Sequence, residues 1–200
     1  MSEKNRRLVE ELFKQHGPIL KAGFLREHGL HNRALVDLVH NSIVKKLKTG
    51  YYILNKDMAD ISDIEIASAL VPFGIICLQS AAVFHELTTL NPLAVTIAIP
   101  ANRTRVAVPE YPPVELVSYA VPTFELGLSE YGAGVSRIRI YDRERTVADF
   151  FRKRRQLGDD LALEVLQSYM RGPRNLQTLF DYADTLRIKS IIKPYVEALI

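Results

Sequence analysis

The stretch from residue 30 to residue 54 constrains the fold more than any other, because a helical pattern runs directly into a hairpin pattern. Three apolar side chains at helical spacing define the core face of the predicted helix: Leu35, Leu38 and Val39. Two β-prone runs follow, at residues 42–47 and 51–54, and they flank Lys48-Thr49-Gly50. A glycine in such a loop supplies the positive φ that a tight turn requires. The pattern therefore predicts a short helix followed by an antiparallel hairpin with a basic tip.

Two further helical patterns precede this stretch. Residues 3–16 carry apolar side chains at helical spacing, and Gly17-Pro18 then ends the helix. Residues 19–28 give a second short helix, with Gly29 as its predicted C-cap. Three short helices followed by a hairpin are typical of a winged helix-turn-helix. We therefore predict a winged helix-turn-helix DNA-binding domain over residues 1–56.

Basic charge is concentrated in the same segment. Residues 1–56 carry 11 Lys and Arg against 5 Asp and Glu, a net charge of +6, whereas residues 57–200 carry 15 against 18, a net charge of −3. Such an asymmetry indicates that the first segment meets a polyanion and that the remainder does not. A chance excess of charge on a solvated face is the alternative explanation.

Composition excludes several other classes of protein. With 48% apolar and 24% charged residues, the chain has the make-up of an ordinary globular protein. No stretch approaches the run of about 18 apolar residues that marks a membrane-spanning helix. Cys77 is the only cysteine, which rules out an internal disulfide or a thiolate metal cluster. We expect a cytoplasmic protein without membrane contact, in which the Cys77 thiol is buried.

The remainder of the chain alternates between strand and helix patterns. Residues 55–63 are polar and rich in turn-forming residues, and they are the predicted linker. The elements predicted beyond it are helices over 64–71 (capped by Ser62 or Asp63) and 79–87, strands over 93–99, 114–119 and 135–141, and helices over 146–155, 160–171, 176–186 and 190–199. Residues 64–200 are therefore predicted to form one mixed α+β domain with central strands and C-terminal helices, and the chain as a whole belongs to the α+β class.

Helical geometry predicts which side chains of the third helix point away from its core face. They are Asn32, Arg33, Val36, Asp37, His40 and Asn41, of which the first five are the candidates for base choice. Arginine pairs bidentately with guanine and asparagine with adenine, so this face is predicted to select the base sequence of bound DNA. Asn32 is equally suited to cap the helix. Asp37 is suited either to orient Arg33 or to accept a hydrogen bond from a cytosine amino group.

The predicted hairpin offers contacts to DNA phosphates. Its candidate residues are Lys45, Lys46, Lys48, Thr49 and Tyr51. Phosphate contacts contribute affinity and salt dependence rather than sequence choice. A charged hairpin that is merely solvated is the alternative, as is a winged helix that binds protein rather than DNA.

A second candidate site runs from the strand ending at Tyr141 into the helix that follows. Asp142 is the predicted N-cap, and Asp142, Glu144 and Asp149 supply carboxylates. No metal-binding, nucleotide-binding or nucleophile motif accompanies them, so we favour a buried ion pair between Arg145 and a carboxylate. The neighbouring basic cluster 152–155 is interpreted as a solvated helix end, with a nucleic-acid or acidic-partner surface as the alternative. We expect no enzyme; the alternative is a nuclease or nucleotidyltransferase-type enzyme targeted to DNA by the winged helix.

Three segments together resemble the AbiEi family of antitoxins and transcriptional regulators from type IV toxin–antitoxin systems. They are the wing pattern Lys48-Thr49-Gly50-Tyr51-Tyr52, the segment 81–87 ahead of a strand, and the Glu144-Arg145-Thr146 step into a helix that carries Asp149. The resemblance spans nearly the whole chain, and the order and spacing of the segments carry it.

The resemblance implies a transcriptional autorepressor that binds double-stranded operator DNA. It also implies an antitoxin whose C-terminal domain neutralises a nucleotidyltransferase-like toxin encoded nearby, without a cofactor. Some members of the family continue for several helices beyond the position that corresponds to Ile200.

Overall fold

A computed structural model describes residues 3–103, 105–132 and 137–200. The chain divides into two compact units. The first comprises Met1–Pro72, Ala107–Val114 and Gly132–Arg137, and the second comprises Phe73–Val106, Glu115–Tyr131 and Ile138–Ile200. Residues 55–72 thus belong to the first unit, whereas the division predicted from sequence begins the second domain at residue 64. Helices and strands occur in both units, which confirms the predicted mixed α+β class.

Three helices and a three-stranded sheet form the N-terminal part of the first unit. In chain order they are α1 (Glu3–His16), β1 (Ile19–Lys21), α2 (Ala22–Glu27), α3 (Asn32–His40), β2 (Val44–Lys48) and β3 (Tyr51–Leu54). Strands β1 and β2 both pair antiparallel with β3, so the sheet order is β1-β3-β2. The apolar faces of the helices and strands share one core, which includes Val9, Leu12, Phe13, Leu25, Leu35, Leu38, Val44 and Leu54.

The predicted second helix is wrong in its first three residues. Residues 19–21 form β1, in which Ile19 pairs with Ile53 and Lys21 with Tyr51. A three-residue strand is too short to show a period of two, and its partner residues lie thirty or more positions further along the chain. Pairing with β3 therefore decides the local structure, and helix α2 begins only at Ala22.

Residues 55–70 complete the described helices of the first unit. A 3-10 helix, Asn55–Asp60, replaces the predicted irregular linker and is followed by α4 (Asp63–Leu70). Of the two predicted caps, Ser62 is confirmed. Its side chain accepts a hydrogen bond from the Glu65 backbone N–H, and the Glu65 carboxylate accepts one from the Ser62 backbone N–H. This reciprocal capping box satisfies two N–H groups that a helix start otherwise leaves unpaired.

The second unit contains a five-stranded sheet in the order β6-β5-β4-β8-β7. Its strands are β4 (Ile75–Ile76), β5 (Val95–Pro100), β6 (Val114–Tyr119), β7 (Leu128–Tyr131) and β8 (Ile138–Tyr141), with helix α5 (Leu78–Phe84) between β4 and β5. Strands β4 and β7 were not predicted from sequence. The strand predicted over 135–141 is confirmed from Ile138 onward, while Val135 and Ser136 lie outside the described residues. Cys77 is buried as predicted.

The predicted C-terminal helices are confirmed. They are α6 (Arg143–Leu157), α7 (Asp159–Arg171), α8 (Leu176–Thr185) and α9 (Lys189–Glu197). Their inward faces share a core that includes Val147, Phe150, Phe151, Val165, Leu166, Leu179 and Ile192. Within the part of the chain that the structure describes, no helix has both the length and the apolar character needed to cross a bilayer.

Candidate nucleic-acid interface

A tight turn after α2 sets the start of α3. Gly29 adopts φ +92°, a left-handed conformation that glycine accepts without steric cost, and the Leu30 N–H then bonds back to the Leu25 carbonyl at 2.9 Å. His31 is the N-cap of α3 and makes no side-chain capping bond. The alternative that Asn32 caps the helix is therefore wrong. Asn32 is the first helical residue, and its Oδ1 accepts from Arg26 Nη1 at 3.3 Å.

The face of α3 predicted to read DNA bases is exposed. Its five side chains all lie at the surface: Asn32, Arg33, Val36, Asp37 and His40. Leu35 and Leu38 are buried as predicted, but Val39 is 38% exposed, so its assignment to the core face is wrong. Val39 directly follows Leu38, and only one of two adjacent helical positions can be centred on the buried stripe.

Two features of this face are suited to binding a ligand. Arg33 has no hydrogen bond or ion pair within the described parts of the chain, and no Arg33–Asp37 pair forms there. Val36 is 66% exposed, and an exposed apolar side chain at this place can contact the methyl group of thymine. Of the two roles considered for Asp37, orientation of Arg33 is thus not seen in this structure.

The hairpin that follows α3 contains a β-bulge. Lys46 pairs with Tyr52 and Lys48 pairs with Tyr51, so Leu47 is an extra residue in β2. Its side chain is fully buried against Ile53 and neighbouring apolar residues. Thr49 is exposed at the tip, beside Gly50 with φ +80° as the turn requires. The predicted hairpin is therefore confirmed, with its first strand shifted to Val44–Lys48.

The three lysines of β2 have intramolecular partners, which the sequence did not indicate. Lys46 Nζ lies 2.8 Å from Glu110 Oε1, and the carboxylate raises the pKa of Lys46. Lys45 Nζ lies 4.0 Å above the centre of the Tyr111 ring, a cation–π distance. Lys48 Nζ donates to the Leu70 carbonyl. Each ammonium thus already has a partner in the free protein.

One cation near the hairpin was missed at the sequence level. Lys21 is exposed on β1, directly opposite Tyr51, and its Nζ lies 5.8 Å from the centre of that ring. Lys48 Nζ lies 4.7 Å from the same ring, and burial together with the charge of Lys21 lowers the pKa of Lys48. The strand register between β1 and β3 places this pair of cations around Tyr51, and that register cannot be predicted from the local sequence.

The second candidate site is held by structural contacts. Asp142 is the N-cap of α6, as predicted, and its Oδ1 accepts from the Arg145 backbone N–H at 2.7 Å. Glu144 Oε1 accepts from the Tyr169 hydroxyl at 2.8 Å and from the Asn175 backbone N–H at 3.1 Å. These carboxylates fix the start of α6 and the turn ahead of α8.

Arg145 and Asp149 form the predicted buried ion pair. Both side chains are fully buried, and Arg145 Nε lies 3.0 Å from Asp149 Oδ2. Arg145 Nη1 also donates to the Thr123 and Leu126 carbonyls, at 2.8 Å each. No group of three or more His, Cys, Asp and Glu residues in the described chain is arranged to hold a metal ion.

The basic cluster 152–155 divides into two parts. Arg154 Nη1 donates to the Phe151 carbonyl at 3.1 Å, and Arg154 Nε forms an ion pair with Asp159 Oδ1 at 3.4 Å. The other three cations line an open depression of about 300 Å³ together with Ser118, Tyr119 and Gln156. The depression is lined by side chains of β6 and α6, and none of its lining residues is acidic.

Comparisons with known proteins add no family to these observations. No family model matches the chain, and no curated protein matches it.

Proposed function

We propose that the N-terminal part of the first unit is a winged helix-turn-helix and that the chain is a DNA-binding transcriptional autorepressor. In this assignment α2 and α3 are the helix-turn-helix, α3 is the recognition helix, and β2 with β3 is the wing. The observation that carries the proposal is the exposed face of α3, whose Arg33 has no described partner, placed directly ahead of a basic antiparallel hairpin. The net charge of +6 over residues 1–56 supports the same assignment.

The contacts of the proposed complex with DNA fall into two chemical classes, those with base edges and those with phosphates. Arg33 and Asn32, at the start of α3, are assigned to base edges, because the first turn of a recognition helix is the part that enters the major groove. Lys48, Thr49 and the newly identified Lys21 are assigned to phosphates on the wing side. Val36 is assigned to an apolar base edge.

Binding to the DNA upstream of its own gene tests the repressor assignment. In a mobility-shift titration we expect this DNA to bind about 10³-fold or more tightly than unrelated DNA of the same length. The logarithm of the binding constant is expected to fall linearly with the logarithm of salt concentration, by about 0.9 for each phosphate contact. Equal affinity for both DNA molecules, or a slope near zero, would contradict the assignment.

We further propose that the chain acts as an antitoxin against a nucleotidyltransferase-like toxin, with the second unit as the neutralising part. The resemblance of the Glu144-Arg145-Thr146 step and Asp149 to the AbiEi pattern supports this assignment.

Co-expression with a neighbouring nucleotidyltransferase-like gene tests the antitoxin assignment. The full chain and the Arg33→Ala variant are both expected to restore growth, because neutralisation does not require the DNA-reading face. Growth arrest that persists when the toxin is co-expressed with the full chain, and also when it is co-expressed with the Arg33→Ala variant, would exclude the antitoxin role.

A further inference from the structure

The segment Ala107–Val114, here called the strap, lies against strand β2 of the hairpin although more than fifty residues separate the two in sequence. Its backbone N–H groups at Glu110 and Tyr111 both donate to the Leu47 carbonyl, at 2.6 and 3.2 Å. Leu47 is the extra residue of the bulge, where one strand carries two residues opposite one of its partner and the regular pairing is interrupted. The bulge therefore provides the acceptor that holds the strap.

Side-chain contacts hold the strap independently of its charge. The Tyr111 ring packs with the apolar cluster that contains Leu47, Ile53 and Ile66, and its hydroxyl donates to Asp63 Oδ1 at 2.8 Å. The Lys46–Glu110 pair is an exposed ion pair, with side-chain exposures of 39% and 60%, and such pairs contribute little to stability. The strap thus stays in place without the ion pair, and it keeps a carboxylate against the wing.

We propose that Glu110 is an intramolecular competitor for nucleic-acid phosphate at Lys46. A carboxylate oxygen 2.8 Å from Lys46 Nζ occupies the position that a DNA phosphate oxygen would take. While the ion pair persists, the wing makes one phosphate contact fewer than its lysines allow, and removal of the Glu110 charge restores that contact. This inference rests on the proposed DNA-binding function and adds to it a regulation of the same surface.

The Glu110→Gln substitution tests the competition, with binding to upstream DNA measured by fluorescence anisotropy over a range of salt concentrations. One additional phosphate contact makes the slope of the salt dependence steeper by about 0.9, which corresponds to about fivefold tighter binding near 0.15 M salt. Glu115→Gln is the matched control, because Glu115 is an exposed glutamate without an ion pair in the described chain. It is expected to leave the slope unchanged.

The Lys46→Gln background separates direct competition from a general change of charge. In the wild-type background Lys46→Gln is expected to alter affinity by less than about twofold, because Glu110 already occupies that lysine. Combined with Lys46→Gln, the Glu110→Gln substitution should no longer steepen the slope. An equal effect of Glu110→Gln in both backgrounds, or no effect in either while wild type binds, would overturn the competitor role alone. Salt-independent or absent binding by wild type and every variant would overturn the proposed function and the competitor role together.

Discussion

The Arg145→Ala variant is expected to lose about 3–5 kcal/mol of its free energy of unfolding, because truncation leaves a buried carboxylate without its counterion. Arg145 and Asp149 are both fully buried, with Nε and Oδ2 3.0 Å apart. The same truncation deprives the Thr123 and Leu126 carbonyls of a shared donor. Urea unfolding followed by far-ultraviolet circular dichroism measures the loss.

Two variants calibrate this result. Arg145→Met combined with Asp149→Leu removes both charges and fills a similar volume, and replacement of a whole buried pair is often neutral or stabilising. The double variant is therefore expected to recover most of the stability lost in Arg145→Ala. Arg155→Ala, at an exposed arginine on the same helix, is expected to change stability by less than about 0.5 kcal/mol. A loss below about 1 kcal/mol in Arg145→Ala would contradict the structural role of the pair.

Helices and hairpins with a local pattern of apolar residues or a glycine turn were predictable from the sequence. Helix α3 and the hairpin follow from Leu35, Leu38 and the glycine turn, because each signal lies within a few residues of the element it forms. Strand β4 escaped prediction because two residues, Ile75 and Ile76, show no period. It is defined by neighbours far along the chain, pairing antiparallel with β5 and parallel with β8. Local patterns predict helices and hairpins whose signals lie within the element. Short strands such as β4 are instead decided by pairing with segments that are distant in the sequence.

The candidate interface likewise has one feature that the sequence predicts, the exposure of its side chains, and one that it does not, their intramolecular partners. The exposure of Arg33 and its neighbours follows from helical geometry alone, whereas the exposure of Val39 and the Arg26–Asn32 hydrogen bond are known only from the structure. The partners of the β2 lysines were not predictable, since Glu110 lies 64 residues beyond Lys46 in a proline-rich stretch without periodicity. Charge counts identify a basic segment, but they do not reveal which cations already have an acidic or aromatic partner.

Arg33→Ala is expected to weaken specific DNA binding by about 1–3 kcal/mol, that is, by a factor between about 5 and 150, and to relax the preference at one base pair. Arg33 is the cation of the α3 face that has no described partner, so under the proposed function its side chain has no intramolecular contact to break before it binds DNA. Affinity for unrelated DNA should change little, because a base contact contributes to specific binding alone. Competition titrations with a set of single-base operator variants measure both quantities.

Arg33→Lys distinguishes a base contact from a phosphate contact. Lysine keeps the charge but lacks the planar fork that pairs bidentately with guanine. If Arg33 reads a base, the lysine variant has a weaker base preference, because its ammonium reaches guanine without the planar fork, yet it keeps the salt dependence of wild type. If Arg33 binds only a phosphate, lysine restores binding nearly in full, and the assignment of α3 as the base-reading helix is then wrong at this position. Lys14→Gln, an exposed cation on α1, is the matched control and should leave both quantities unchanged.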